Sequence, residues 1–137
     1  MLREIGDRHG TAEVLYSLGH VECEQGNHPL AEARLRESVT MSLELADRNG
    51  IAQGLECLAK VAVGTDAPAR AARLWGAAER VREEIGQPML QNHRPSYNRA
   101  VAAARTALGD DAFTLAWLEG RAMTIEGAVK YALNVLS

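Results

Sequence analysis

Four residues near the amino terminus, Asp7-Arg8-His9-Gly10, come back as Asp47-Arg48-Asn49-Gly50. The echo continues along the chain. Leu15, Leu18 and Val21 return as Leu55, Leu58 and Val61, and Ala31 and Leu35 return as Ala71 and Trp75. Ile5, Leu45 and Ile85 mark three successive ends of the unit. A fixed period of about 40 residues is the mark of a helical repeat array, in which each unit buries its apolar face against its neighbour. The pattern dictates an architecture and carries no reaction with it.

Composition narrows the class of helix. Of the 137 residues 47% are hydrophobic but only 4% aromatic, so the core has to be built from Ala, Leu and Val. Ala and Leu are strong helix formers, and the small Ala lets helix axes approach closely. A net charge of −3 and a pI near 5.8 give no general attraction for nucleic acid or anionic lipid, so neither is expected as a partner. The start, Met1-Leu2-Arg3-Glu4-Ile5, is short and charged, unlike a signal peptide, and no apolar run reaches the ~18 residues of a membrane span. Cys23 and Cys57 are isolated, with no CxxC pairing, and read as reduced thiols on helices. The expectation is a cytoplasmic chain.

The spacing predicts an all-α domain of about seven helices. Residues 1–5 read as the tail of a helix from a preceding, truncated repeat. Helix one is expected over about 10–25, with Ala12, Leu15, Leu18, Gly19 and Val21 inward. Gly26-Asn27-His28-Pro29 is a turn, and helix two follows over 29–46 with Leu30, Ala31, Leu35, Val39 and Leu43. The second unit repeats this with helices over 50–63 and 68–85 around Gly64-Thr65-Asp66-Ala67-Pro68, a turn that reads one residue longer. Residues 1–86 thus form two helical hairpins. The remainder, 87–137, is expected to be a three-helix cap packed on the array. Its first helix carries Tyr97, Val101, Ala104 and Leu108; its second, capped by Asp110, carries Phe113, Ala116 and Trp117; its third, capped by Thr124, has Ile125, Val129, Ala132 and Leu136 inward.

The two units resemble tetratricopeptide repeats. Leu15, Leu18, Gly19, Ala31, Leu35 and Ser38 stand at that family's apolar and small-residue positions, as do Leu55, Leu58, Ala59, Ala71, Trp75 and Ala78. The departures are a period longer than the family's roughly 34 residues and the absence of its first-helix aromatic at Glu22 and Ala62. A longer string is similar to the carboxy-terminal part of large bacterial signal-transduction ATPases, many of them LuxR-type transcriptional regulators. It comprises Ala71-Ala72-Arg73-Leu74-Trp75-Gly76-Ala77-Ala78-Glu79, the run Tyr97 to Arg105, Ala116-Trp117-Leu118-Glu119-Gly120-Arg121, and Glu126 to Leu133. The resemblance implies a right-handed α-α superhelix attached to ATPase, cyclase or DNA-binding regions elsewhere, and a face that receives partners or effectors.

That face is the inner one, made by the first helix of each hairpin. The resemblance places Glu13, Tyr16, His20 and Cys23, then Gln53, Glu56 and Lys60, on it. A mostly polar set with an aromatic suits a recognition surface for a protein, a peptide or a small effector. No phosphate-binding GxxxxGK[ST] is present, Glu83-Glu84 and Asp110-Asp111 lie at helix ends, and His9, His20, His28 and His93 lack metal-ligand spacing. No catalytic residue, cofactor or metal is therefore expected. Lys130 is the only base on the last helix, too few for reading DNA, while Trp75 and Trp117 sit at core spacing. The favoured expectation is a non-catalytic interaction or effector-sensing module. The alternatives are a spacer or self-association domain, with a homodimer as one outcome, and an enzyme using the long loop around Asn92, His93 and Arg94.

Overall fold

The computed structural model describes residues 2–134, with side chains from Gly6 onward. Its elements are α1 (Leu2–Glu24), α2 (His28–Glu44), α3 (Arg48–Gly64), α4 (Pro68–Ile85), a 3-10 turn (Gln91–His93), α5 (Arg94–Leu108), α6 (Asp110–Arg121) and α7 (Ile125–Leu133). There is no strand among the described residues. Among the described residues, the expected all-α, repeat-like class with seven helices is what forms.

Four helices in a row close in the same way. Gly26, Ala46, Asp66 and Gly86 adopt left-handed conformations, with φ of 80, 56, 64 and 68°. At each, the next amide reaches back to a carbonyl five residues earlier: Asn27 to Glu22 (2.9 Å), Asp47 to Ser42 (2.8 Å), Ala67 to Ala62 (2.7 Å) and Gln87 to Arg82 (3.2 Å). This closure satisfies carbonyls that a helix end leaves orphaned. The left-handed positions (26, 46, 66, 86) fall at equal steps, so one helix with its linker is the underlying unit and two make the sequence period. The linkers are therefore equal in length, and the extra residue expected in the second turn is absent. What moved is the proline, which is second in α2 at Pro29 and first in α4 at Pro68. Either place suits a residue with no amide proton.

At the amino end the structure corrects the sequence reading. The next tooth of this comb would be Gly6, yet α1 continues through it without a break. The expected separation into a helix tail and a new helix near residue 10 does not occur. Nothing stands within 4 Å of a Cβ built on Gly6 or Gly10. Two smaller corrections concern caps and burial. Asp110 is the first residue of α6, where its charge favours the helix dipole, and Gly109 occupies the cap. Leu18, Val21 and Leu30, expected inward, are exposed. Thr124 does cap α7, accepting the Gly127 amide at 3.0 Å, and Asp47 caps α3 through the Gly50 amide at 3.1 Å.

The core follows the composition. Ala31, Ala52, Ala59, Ala71 and Ala72 are wholly buried with Leu35, Val39 and Leu55, and Trp75 is the largest side chain among them. Small residues set the helix separations. A Cβ on Gly19 would meet Leu35 at 2.7 Å, and one on Gly54 would overlap Val39. The tightest crossing is α4 on α6, where a Cβ on Gly76 would strike the Trp117 carbonyl and one on Gly120 the Arg73 carbonyl. Trp117 is half-buried there, with the Arg121 guanidinium 5.1 Å from its ring centre. Helix α7 folds back over α2, α3 and α4. Its terminal carbonyls accept from Arg36 (Leu133 O, 2.6 Å) and Arg70 (Ala132 O, 2.7 Å), cations set at the negative end of the helix dipole. Leu136, expected inward on the last helix, lies outside the described residues with Val135 and Ser137, as does the side chain of Ile5.

Candidate functional site

The turn comb stops at Gly86, and the chain from Gln87 to His93 then crosses the inner face before α5 begins. Met89 anchors that crossing: it is buried, while Pro88 and Leu90 on either side are exposed. The result is a groove with α1, α3 and α4 as one wall and the loop with the start of α5 as the other. It holds two adjoining cavities of about 420 and 320 Å³ that share Glu56, Met89 and Tyr97.

The smaller cavity gathers Tyr16, His20, Glu56 and Lys60, four of the residues singled out on the inner face. Asn92 and His93 line it from the opposite side, and Arg94 lines the larger cavity. Two readings that the sequence kept apart, a recognition face and a long loop, are thus two walls of one groove. Glu13 and Gln53 lie farther along α1 and α3, in a more polar hollow of about 300 Å³ that Tyr16 also borders. Cys23 lines none of the three and is half-buried, its thiol raised above the usual range by burial.

Rings run along the smaller cavity. Tyr16 and His20 lie 6.1 Å apart and nearly parallel, and His20 and His93 lie 5.5 Å apart, also nearly parallel. Tyr97 meets Trp75 edge-on at 5.8 Å between the two cavities. Charges on the wall are already matched. Arg82 grips Glu56 with both arms of its guanidinium, Nε to Oε2 at 2.5 Å and a terminal nitrogen to Oε1 at 2.8 Å, and is steadied by the Gln87 carbonyl at 3.1 Å. Lys60 donates to Glu24 at 2.6 Å, and this hydrogen bond holds the Glu24 carboxyl below its ordinary range. Asn92, Ser96 and Arg94 carry no such partner, so the free hydrogen-bonding capacity sits on the loop and α5 side.

Burial shifts several of the groove's ionisable groups. His20 Nδ1 stands 3.6 Å from Cys57 Sγ, a pairing that could suggest a thiol–imidazole couple. Burial pushes the Cys57 thiol up to about 12, however, whereas a nucleophilic cysteine needs a lowered value. Burial, then the neighbouring Cys57, likewise keeps the Tyr16 phenol protonated. His20 is lowered, first by burial and then by the Lys60 charge, so its imidazole is neutral near pH 7. Among the described residues no cluster of three His, Cys, Asp or Glu side chains could hold a metal ion. Sequence reasoning missed Arg82, Met89 and Tyr97 as groove residues. The spacing of Tyr97 on α5 fits core equally well, and Met89 follows a proline in an aperiodic stretch where spacing carries no signal.

The sequence can now be set beside known proteins. Over 108 residues, 79% of the chain, it is 31% identical to "Putative HTH-type transcriptional regulator Rv0890c" of Mycobacterium tuberculosis strain H37Rv. The same identity and coverage hold for the like-named Mb0914c of Mycobacterium bovis and MT0914 of M. tuberculosis strain CDC 1551. The chain spans 12% of the length of these relatives. No family model and no solved structure matches it. No described helix is long and apolar enough to cross a membrane.

Proposed function

We propose that this domain is a non-catalytic, tetratricopeptide-like module of a bacterial transcriptional regulator, and that it receives a peptide, a protein segment or a small effector in the inner groove. The observation that carries the reading is the groove itself. Its aromatic row of Tyr16, His20 and His93 offers stacking area, its Glu56–Arg82 and Glu24–Lys60 pairs are fixed before anything binds, and its free donors stand on the opposite wall. A preorganised wall of this kind spares a ligand the cost of ordering side chains. The regulatory setting is supported by the relatives' names, and the LuxR-type, ATPase-linked setting by the resemblance of the Ala71–Glu79 and Tyr97–Arg105 strings. In that setting the module works in the cytoplasm without cofactor, DNA contact or membrane, and passes occupancy on to regions of its own longer chain.

The test is a thermal-shift panel of nucleotides, amino acids, aromatic metabolites and a displayed peptide library, followed by calorimetry. A ligand at a hundredfold excess over its dissociation constant adds roughly 2.7 kcal/mol to stability. Binding should fall at least tenfold in His93→Ala and Asn92→Ala, which change exposed or half-exposed groove residues. Binders unaffected by both changes, or turnover of any panel compound, would refute the reading.

A further inference from the structure

The larger cavity, about 420 Å³, carries an unmatched charge of each sign on its two walls. Arg94 stands on the α5 side, exposed, with no hydrogen bond or ion pair to any described residue. It opens α5, so the positive end of a 15-residue helix lies on the same side. On the α4 side Glu79 and Glu83 both line the cavity and share one cation, Arg121. Arg121 takes both oxygens of Glu83 but only Oε1 of Glu79, which leaves Glu79 Oε2 over. The neighbouring cations on α4 are committed elsewhere, Arg82 to Glu56 and Arg80 to Glu84. Tyr97 feels both unmatched charges: its phenol is raised by burial first and then by Glu79, while Arg94 acts to lower it. The rest of the lining is largely apolar, with Pro88, Met89, Tyr97 and Trp75.

An ion that leaves water for such a lining needs a partner there. An anion alone would meet Arg94 but face the surplus carboxylate of Glu79, and a cation alone would do the reverse. We infer, building on the groove as the binding site, that the larger cavity takes a zwitterion with an apolar body: a free amino acid with a large apolar or aromatic side chain. Its carboxylate pairs with the Arg94 guanidinium, whose planar fork matches two oxygens, and its ammonium pairs with Glu79. Its side chain lies against Met89 and Tyr97. The cavity stands near the lower end of the roughly 300–1,000 Å³ of small-molecule sites, which suits one amino acid and excludes a folded partner. A longer peptide would bring only one charged terminus into this space.

Calorimetry at pH 7 with three molecules that share a benzyl group tests the inference. L-phenylalanine has both charges, 2-phenylethylamine lacks the carboxylate and 3-phenylpropanoate lacks the amine. The amino acid should bind about tenfold or more tightly than either analogue, because each analogue leaves one wall charge unpaired. L-leucine, isopentylamine and 4-methylpentanoate repeat the comparison with a branched side chain. Arg94→Gln should remove the advantage of the amino acid over its amine, and Glu79→Gln its advantage over its acid. Glu83→Gln should leave binding nearly unchanged, since both oxygens of Glu83 are already held by Arg121. All these positions are exposed or half-exposed, and circular dichroism checks that the helices remain. Equal binding of an amino acid and its single-charge analogues, or amino-acid binding unchanged in Arg94→Gln, would overturn the inference. If both amino acids fail while another compound binds and is lost in His93→Ala, the groove reading stands and this inference falls. If no compound binds, both fall.

Discussion

Leu18 on α1 is 41% exposed, and Leu58, its counterpart on α3, is 1% exposed. The two helices share their apolar lettering at Leu15/Leu55, Leu18/Leu58 and Val21/Val61, and both pair with the helix that follows. The difference is a neighbour on the other side. α3 lies between α2 and α4, whereas α1 has α2 alone beside it along most of its length. Burial in a repeat array is thus a property of position in the stack, and identical residues contribute differently according to whether a preceding helix is there.

The largest test of that comparison is truncation of the two leucines. Leu58→Ala should cost about 2–5 kcal/mol, the range for emptying a packed core site. Leu18→Ala should stay within about 0.5 kcal/mol of wild type, as surface changes do. Urea denaturation of both variants checks this, and similar costs would break the comparison. Next in size is the helix spacing itself. Gly54→Ala puts a methyl group into Val39 and should cost about 1–3 kcal/mol as overpacking, while Gly10→Ala, with nothing above it, should be neutral or slightly stabilising through helix propensity. Equal losses at both positions would mean that α1 is covered in solution.

How much of this could be read in the sequence follows from the same contrast. The period, the helix count and most of the core were legible because apolar spacing reports which side chains share a face. The spacing of Leu18 and Val21 says that a face exists, but not that its partner is present. The comb of turns was half visible: Gly26 and Gly86 announce themselves, whereas Ala46 and Asp66 take the same conformation without glycine. That concealment is why the second turn read as longer. The groove is legible in its α1 and α3 wall through the repeat resemblance, whereas the loop's length alone does not say which face it crosses. No local pattern encodes that Met89 and Glu56 line the same cavities, because the two are distant in sequence.

Ala46 gives a test of intermediate size. A residue with a Cβ held at φ 56° carries strain of about 1–2 kcal/mol that glycine avoids, although glycine gives part of it back through the greater freedom of the unfolded chain. Ala46→Gly should therefore stabilise the protein by about 0.5–1 kcal/mol, seen as a higher melting midpoint. Gly6→Ala, at the corresponding step where α1 does not turn, should also stabilise, here by favouring helix. If Gly6→Ala destabilised instead, α1 would have to turn at Gly6 in solution as α2 does at Ala46.

The smallest expected effect separates the two walls by pH. His20 on α1 has a lowered pKa, so the unfolded chain takes up its proton more readily than the folded one. Where the unfolded state binds more protons, stability rises with pH. The contribution of a neutral His20 is thus complete above the ordinary histidine value near 6.5 and is lost progressively as pH falls from there toward its folded-state value. Glu24 acts in the same sense lower on the scale, because its lowered pKa removes stability as acid protonates it and loosens Lys60. Two acid-side losses should follow, one beginning below about pH 6.5 and one below about pH 4.5. His20→Gln should flatten the first and leave the second, read from urea midpoints between pH 7 and pH 4. A first slope unchanged in His20→Gln would mean that the imidazole on the α1 wall is solvated, and that the loop does not close over it as Met89 and His93 are placed to do.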